Sequence, residues 1–328
     1  MTQPIFKAER VAVEDEYYIF DLDATVVREH VYYPTRYGVE IAADLYYSKD
    51  LDKSTKHPGL VVGPPFGGVK EQGPGVYANQ LAQRGYVVVA FDPASHSYSG
   101  GQPRYTGSPD TYLEDFSAAV DFIGILDYVD RNRIGALGIC ASGGFALGAT
   151  AQDARIKAVV TSVMYDIPSL AGMPTGQDRA DQLEALSLQR WADLDNKSSE
   201  VKPHYPSQAA ELGSTMPDGF PTLPEFYDFY ATKRGWHPHA LANITEVSNL
   251  SFMNFQINSY WNEISPRPTL LITTKTAHSR AFSETAYEQL QEPKELYIAP
   301  AADHVDFYDR VDLIPFDKID AFFKENLK

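Results

Sequence analysis

The chain has 328 residues, 44% of them hydrophobic and 22% charged, enough for one large domain or two small ones around a sizeable core. A net charge of -16 argues against nucleic acid and anionic membrane surfaces as partners. One cysteine excludes an internal disulfide, no run of 18 apolar residues predicts a membrane span, and the opening residues show no signal peptide, so a cytoplasmic protein is expected.

Residues 26–33 and 39–47 run apolar or alternate around a turn at 34–38 and predict an antiparallel hairpin. Just before them, FDLDATV (20–26) resembles the D-x-D-x-[TV] motif of haloacid-dehalogenase-type phosphatases. That motif requires a buried strand leading into a loop and helix. Strand-like sequence and Pro34 follow instead, so a solvated acidic turn is expected. Residues 59–63 predict a buried strand, followed by the loop Pro64-Pro65-Phe66-Gly67-Gly68, a helix at 75–83 and a strand at 86–91. His96, in the loop 92–101, reads as a loop contact. Residues 108–128 have helical spacing behind a Ser108 or Asp110 cap.

The stretch 133–152, RIGALGICASGGFALGATAQ, reads as buried strand, tight turn and small-residue helix. Gly138 precedes Cys140 by two residues and Ser142 follows it by two. This is the G-x-S-x-G nucleophile elbow with cysteine at its centre and serine replacing the second glycine. Small flanks suit a strained turn, and the helix N-terminus favours a thiolate and an oxyanion. A second register would make Ser142 the nucleophile; the turn positions favour Cys140.

A strand at 156–164 ends in Tyr165-Asp166, a site position in an open α/β sheet. Residues 167–265, rich in Pro, Gly and aromatics, predict a helical cap with helices at 178–194 and 223–231. Its aromatics are expected to form mainly the cap's own core, some lining an apolar pocket. Strands follow at 269–273 and 295–298, with a helix at 284–291 between them. His304 comes directly after the last strand, and a closing helix covers 313–327.

Nucleophile, acid, histidine is the chain order of the α/β-hydrolase triad. Phe66 or Gly67 would give one oxyanion N–H, because a proline has none, and Ala141 the other. The segments VKEQ (69–72), GICASGGFAL (138–147), MYD (164–166), FYDFYATKRGWHP (226–238), AHSRAFSE (277–284) and DHVDFYDR (303–310) together resemble the dienelactone-hydrolase-like branch of the α/β-hydrolases, which uses cysteine at the elbow. They resemble in particular a capped subgroup that includes fungal polyketide transferases.

The resemblance implies an α/β-hydrolase fold with a mostly parallel, eight-stranded sheet flanked by helices. Residues 1–166 and 266–328 would form the core and 167–265 a helical cap. It implies neither cofactor nor metal. The acid of this family should lie near 276–278, where no carboxylate occurs. Asp166 is the expected replacement, with Glu284 second, and His278 lies near the site. The expected activity is ester or thioester hydrolysis on a small, apolar acyl substrate through Cys140, His304 and Asp166. Acyl transfer to an alcohol is the alternative, and a non-catalytic ligand-binding homologue the second. The oligomeric state is not fixed by the sequence, which leaves a homodimer open.

Overall fold

A computed structural model describes residues 9–11, 17–201, 203–209, 212, 213 and 215–328, the first three by backbone alone. Most of the opening stretch read for a leader lies outside them. The strands are β1 (Glu9–Val11), β2 (Val26–Pro34), β3 (Glu40–Ser48), β4 (His57–Gly63), β5 (Val87–Phe91), β6 (Val129–Ile139), β7 (Ala158–Ser162), β8 (Thr269–Thr274) and β9 (Lys294–Ala299). They form one sheet in the order β1-β2-β3-β5-β4-β6-β7-β8-β9. The eight expected strands are all present, and short β1 adds an edge. Pairing is antiparallel from β1 through β3 to β5 and parallel from there to β9.

The central parallel strands β5 and β7 and the second half of β6 are apolar and buried because helices cover both faces, whereas edge strand β9 is only partly buried. Helices α1 (Gly73–Ala82), α2 (Pro109–Gly124) and α3 (Ala141–Gln152) connect them. A capping box between Ser108 and Thr111 starts α2. Asp23 accepts from Thr25 N at 2.8 Å and Thr25 Oγ1 at 2.6 Å, making the acidic turn before β2 an exposed local motif.

Between β7 and β8 the chain runs through α4 (Ile167–Ala171), α5 (Gly176–Asn196), α6 (Pro224–Tyr230) and α7 (Asn249–Asn254). Its aromatics divide. Tyr205, Tyr227, Phe229, Tyr230, Phe252 and Trp261 are buried, whereas Trp191 is 69% exposed on α5, which buries none of its residues. After β8 come α8 (Arg280–Gln289), β9, α9 (Asp306–Asp309) and α10 (Phe316–Asn326). Among the described residues no helix is long and apolar enough to cross a membrane.

Candidate active site

Strand β6 delivers Cys140 to the carboxyl edge of the sheet, and α3 begins at the next residue. Cys140 has φ 56° and ψ −123°, a conformation that costs about 1–3 kcal/mol and needs support from its surroundings. Its N–H donates to Ser162 O, and its carbonyl accepts from Gly143 N and Tyr165 N, each at 2.9 Å. Gly138 has no alternative: a Cβ there would lie 1.9 Å from Ser142 O.

The backbone N–H groups of Ala141 and Phe66 favour the ionised form of the Cys140 sulfur. Gly67 serves the loop's geometry instead, with φ +71° and a virtual Cβ 2.1 Å from Ala242 Cα. Buried Ser142 lies within α3, and its Oγ donates to Pro64 O at 2.5 Å, bracing the Phe66 loop. The sharp turn is therefore at Cys140 rather than Ser142. On its far side the loop is held by Lys70 N donating to Asp92 Oδ1 at 2.9 Å and by Gln72 Nε2 donating to Gly235 O at 2.5 Å.

His304 is fully buried beneath the 167–265 segment. Its Nδ1 lies 2.7 Å from Ser279 Oγ, and that hydroxyl can donate its single proton to Val163 O at 3.2 Å. With that proton on Val163 O, Ser279 accepts from Nδ1–H and Nε2 is the acceptor; with it on Nδ1, the tautomer is reversed. Tyr308 OH lies 2.9 Å from Nε2 and favours the ionised form of the Cys140 sulfur. Tyr165, Phe226 and His278 enclose the imidazole, with ring centroids at 5.4, 5.5 and 4.6 Å.

The Nδ1 partner is thus Ser279 and not Asp166. Asp166 caps α4 instead, accepting from Ser169 N at 3.1 Å, Ser169 Oγ at 2.5 Å and Asn258 Nδ2 at 3.1 Å. A helix starting directly after the strand leaves free N–H groups, and these take the carboxylate. Glu284, on the partly exposed face of α8, pairs with Arg280 at 2.7 Å. His278 does come to the site. Its Nδ1 lies 2.6 Å from Glu225 Oε1, and Glu225 Oε2 accepts from Val305 N at 3.2 Å. His96 is a buried loop contact, with Nδ1 2.8 Å from Ala94 O.

Burial pushes the Cys140 thiol up to about 11, against the smaller opposing pull of Tyr308 and the Ala141 and Phe66 N–H groups. Burial, with the neighbouring His278, holds His304 well below the usual histidine value. Both shifts favour a neutral thiol and a neutral imidazole at rest over a thiolate–imidazolium pair. Burial also raises the Glu225 carboxyl, but its hydrogen bond and charge interaction with His278 outweigh that and leave it below its ordinary value.

Three members of this arrangement escape a reading of sequence. Ser279 lies one residue beyond 276–278, where the acid of this family is expected. Glu225 arrives from a segment distant along the chain. Tyr308 carried a usable signal, since it lies four residues after His304, which stands just before α9, and that spacing puts both on one side of a turn.

A family model described as "Alpha/beta hydrolase family" matches residues 68–314. An uncharacterized protein of Pseudomonas aeruginosa is 48% identical over 94% of this chain and 83% of its own length. A crystal structure of a hypothetical Pseudomonas aeruginosa protein superposes with a TM-score of 0.89 at 47% identity, covering 97% of this chain and 98% of that one. A thiohydrolase of Eupenicillium brefeldianum is 24% identical over 90% of this chain and 93% of its own. The polyketide transferase GrgF of Penicillium is 25% identical over 87% and 92%. The GrgF structure has a TM-score of 0.76 at 22% identity, covering 92% of this chain and 99% of that one. With three quarters of its length matched and its strands in this order, the chain belongs to the alpha/beta hydrolase family of enzymes.

Proposed function

We propose that the protein is an acyl hydrolase that opens ester or thioester substrates through an acyl-enzyme on Cys140, as a cysteine-elbow, dienelactone-hydrolase-like member of the family. The observation that carries this reading is the strained Cys140 turn at the end of β6, with the Ala141 and Phe66 N–H groups favouring charge on its sulfur and His304 buried after the last strand. Cys140 loses its proton to His304 as its sulfur attacks the acyl carbonyl. The two N–H groups take up the oxyanion charge, and the leaving alcohol or thiol recovers the proton. Water, deprotonated by His304, then releases the acyl group. Ser279 takes the orienting role expected of Asp166, holding Nδ1–H so that Nε2 faces the reaction. Residues 167–265 act as a cap that dries the site and favours an apolar acyl group.

Acyl transfer to an alcohol is the second reading. The aromatic and histidine enclosure around His304 supports it, because a dry site disfavours water as the acceptor. The likeness to a polyketide transferase points the same way. Product analysis with an activated acyl thioester, with and without added alcohol, separates the two. Free acid alone means hydrolysis, and ester formed at the expense of acid means transfer. Turnover surviving in Cys140→Ala would remove both.

A further inference from the structure

We propose that Gln72 is a positioning residue that sets the Phe66 N–H for the oxyanion and ties that setting to the 167–265 segment. This inference rests on the acyl-enzyme reading above and adds what holds its oxyanion loop in register. Gln72 is fully buried and stands at the N-cap of α1, but its side chain does not cap the helix. It turns back onto the loop instead. Its Oε1 accepts from Val69 N at 3.1 Å, and its Nε2 donates to Gly235 O at 2.5 Å. Those partners fix the orientation of the amide, because a backbone N–H can only donate and a carbonyl can only accept.

Phe66 sits inside a turn closed by Gly68 N donating to Pro65 O at 2.8 Å. The next turn is closed by Gln72 N donating to Val69 O at 3.1 Å. Gln72 therefore grips Val69 twice, with its backbone at the carbonyl and its side chain at the N–H. Gly68 lies in direct range as well, since a Cβ there would stand 3.3 Å from Gln72 Oε1. The covering segment makes a second approach at Gly67, where a Cβ would fall 2.1 Å from Ala242 Cα. Gly235 and Ala242 are seven residues apart, so one short stretch of 167–265 touches the loop at two points.

The two ends of the loop thus have different anchors. Ser142 Oγ holds the Pro64 end from α3, two residues after the nucleophile. Gln72 holds the Val69 end and links it to Gly235. The first anchor keeps the loop in place relative to Cys140. The second keeps it in place relative to the segment over the site, so the cover on the acyl group and the alignment of Phe66 N–H are held together. Placement of this kind matters because an oxyanion donor acts through geometry, and a misplacement of about 1 Å costs about a hundredfold in rate.

The test compares reactions of one thiol that do and do not need an oxyanion site. Butyraldehyde adds to Cys140 as a hemithioacetal: the S–C bond forms, the carbonyl pair moves to oxygen, and the thiol proton ends on that oxygen. Iodoacetamide alkylates the sulfur with loss of iodide and proton and makes no oxyanion. Gln72→Met keeps the length of the side chain and removes both hydrogen bonds. It should lower the acylation rate, read from the 4-nitrophenolate burst with 4-nitrophenyl butyrate, by about thirtyfold, with KM changed less than about threefold. The inhibition constant of butyraldehyde should rise by a similar factor, while alkylation at pH 9 stays within about twofold of wild type. A purely structural glutamine would lower the melting temperature and leave the burst rate and aldehyde affinity of the folded fraction intact, and that result overturns the proposal. Equal slowing of alkylation also overturns it, because the defect would then lie at the thiol. Gln72→Glu keeps the acceptor for Val69 N and loses the donor to Gly235 O, and it carries the test if Gln72→Met does not fold. Acylation in Gln72→Glu within about threefold of wild type overturns the tie to 167–265. Cys140→Ala serves as the control. A burst surviving there refutes the acyl-enzyme reading itself, whereas a dead Cys140→Ala beside a normal Gln72→Met refutes the positioning role alone.

Discussion

Ser279 Oγ stands 2.7 Å from His304 Nδ1, where a triad of this chain order would present a carboxylate. The hydroxyl orients the ring as a carboxylate would, but it can donate as well as accept, and it brings no negative charge to the imidazolium that forms during catalysis. Ser279→Ala should therefore release the ring's orientation without unbalancing a buried charge. One lost hydrogen bond of about 1–2 kcal/mol predicts a fall in kcat/KM of about tenfold. Steady-state kinetics checks this, alongside a melting curve that should stay within a few degrees of wild type. A rate equal to wild type would mean that Ser279 does not orient the histidine.

The missing charge has a local substitute in Glu225. It bonds His278, whose ring lies 4.6 Å from His304, and accepts the N–H of Val305. Glu225→Gln preserves the shape and removes the charge. A carboxylate this close should favour the imidazolium of the transition state, so the variant should lose about tenfold in kcat with KM nearly unchanged. An equal loss from Glu225→Gln and Glu225→Asp would assign the effect to geometry rather than charge.

Much of this was readable beforehand, for physical reasons that differ by residue. The parallel strands declare themselves as short apolar runs because both faces of the sheet are covered. Cys140 is betrayed by glycines that the strained turn requires, and His304 by its place just after the last strand. Asp166 misled because an acid after a strand serves equally well as a helix cap, and α4 begins at the next residue, Ile167, with Pro168 in its first turn. Nothing in sequence spacing could bring Glu225 to the histidine, because that depends on how residues 167–265 fold back over the strand ends. Trp191 stands apart from the aromatics that form the core of 167–265, because α5 lies on the surface and leaves it exposed.

The resting thiol predicts a particular response to pH. Burial raises Cys140 to about 11, so the reactive thiolate is scarce at neutral pH and grows as pH rises. Alkylation by iodoacetamide should accelerate about tenfold per pH unit from 7 to 10 and show no plateau near neutrality. A plateau between pH 6 and 8 would indicate a preformed thiolate and contradict the neutral pair. Slow labelling at pH 7 is accordingly the expected behaviour of the enzyme and does not by itself argue for a non-catalytic binder.

Arg234 ties the 167–265 segment to the histidine loop. Its Nη2 meets Asp306 Oδ1 at 2.9 Å and Asp309 Oδ1 at 2.8 Å, its Nε meets Asp309 Oδ2 at 2.9 Å, and its Nη1 meets Asp228 Oδ2 at 2.9 Å. Three carboxylates share one half-buried guanidinium, so Arg234→Met leaves them to repel one another. The strain should fall on α9, which carries Tyr308 next to His304. The expected loss is about 2 kcal/mol in urea unfolding, because the network is only partly screened by solvent. Hydrogen exchange should quicken selectively in the amides of 303–310 while β6 and α3 keep their protection. Arg234→Lys would restore charge but not the forked geometry, and should recover only part of the loss. If protection over 303–310 is unchanged in Arg234→Met, the guanidinium is a surface ornament and the loop is held by Tyr77 and Glu225 alone.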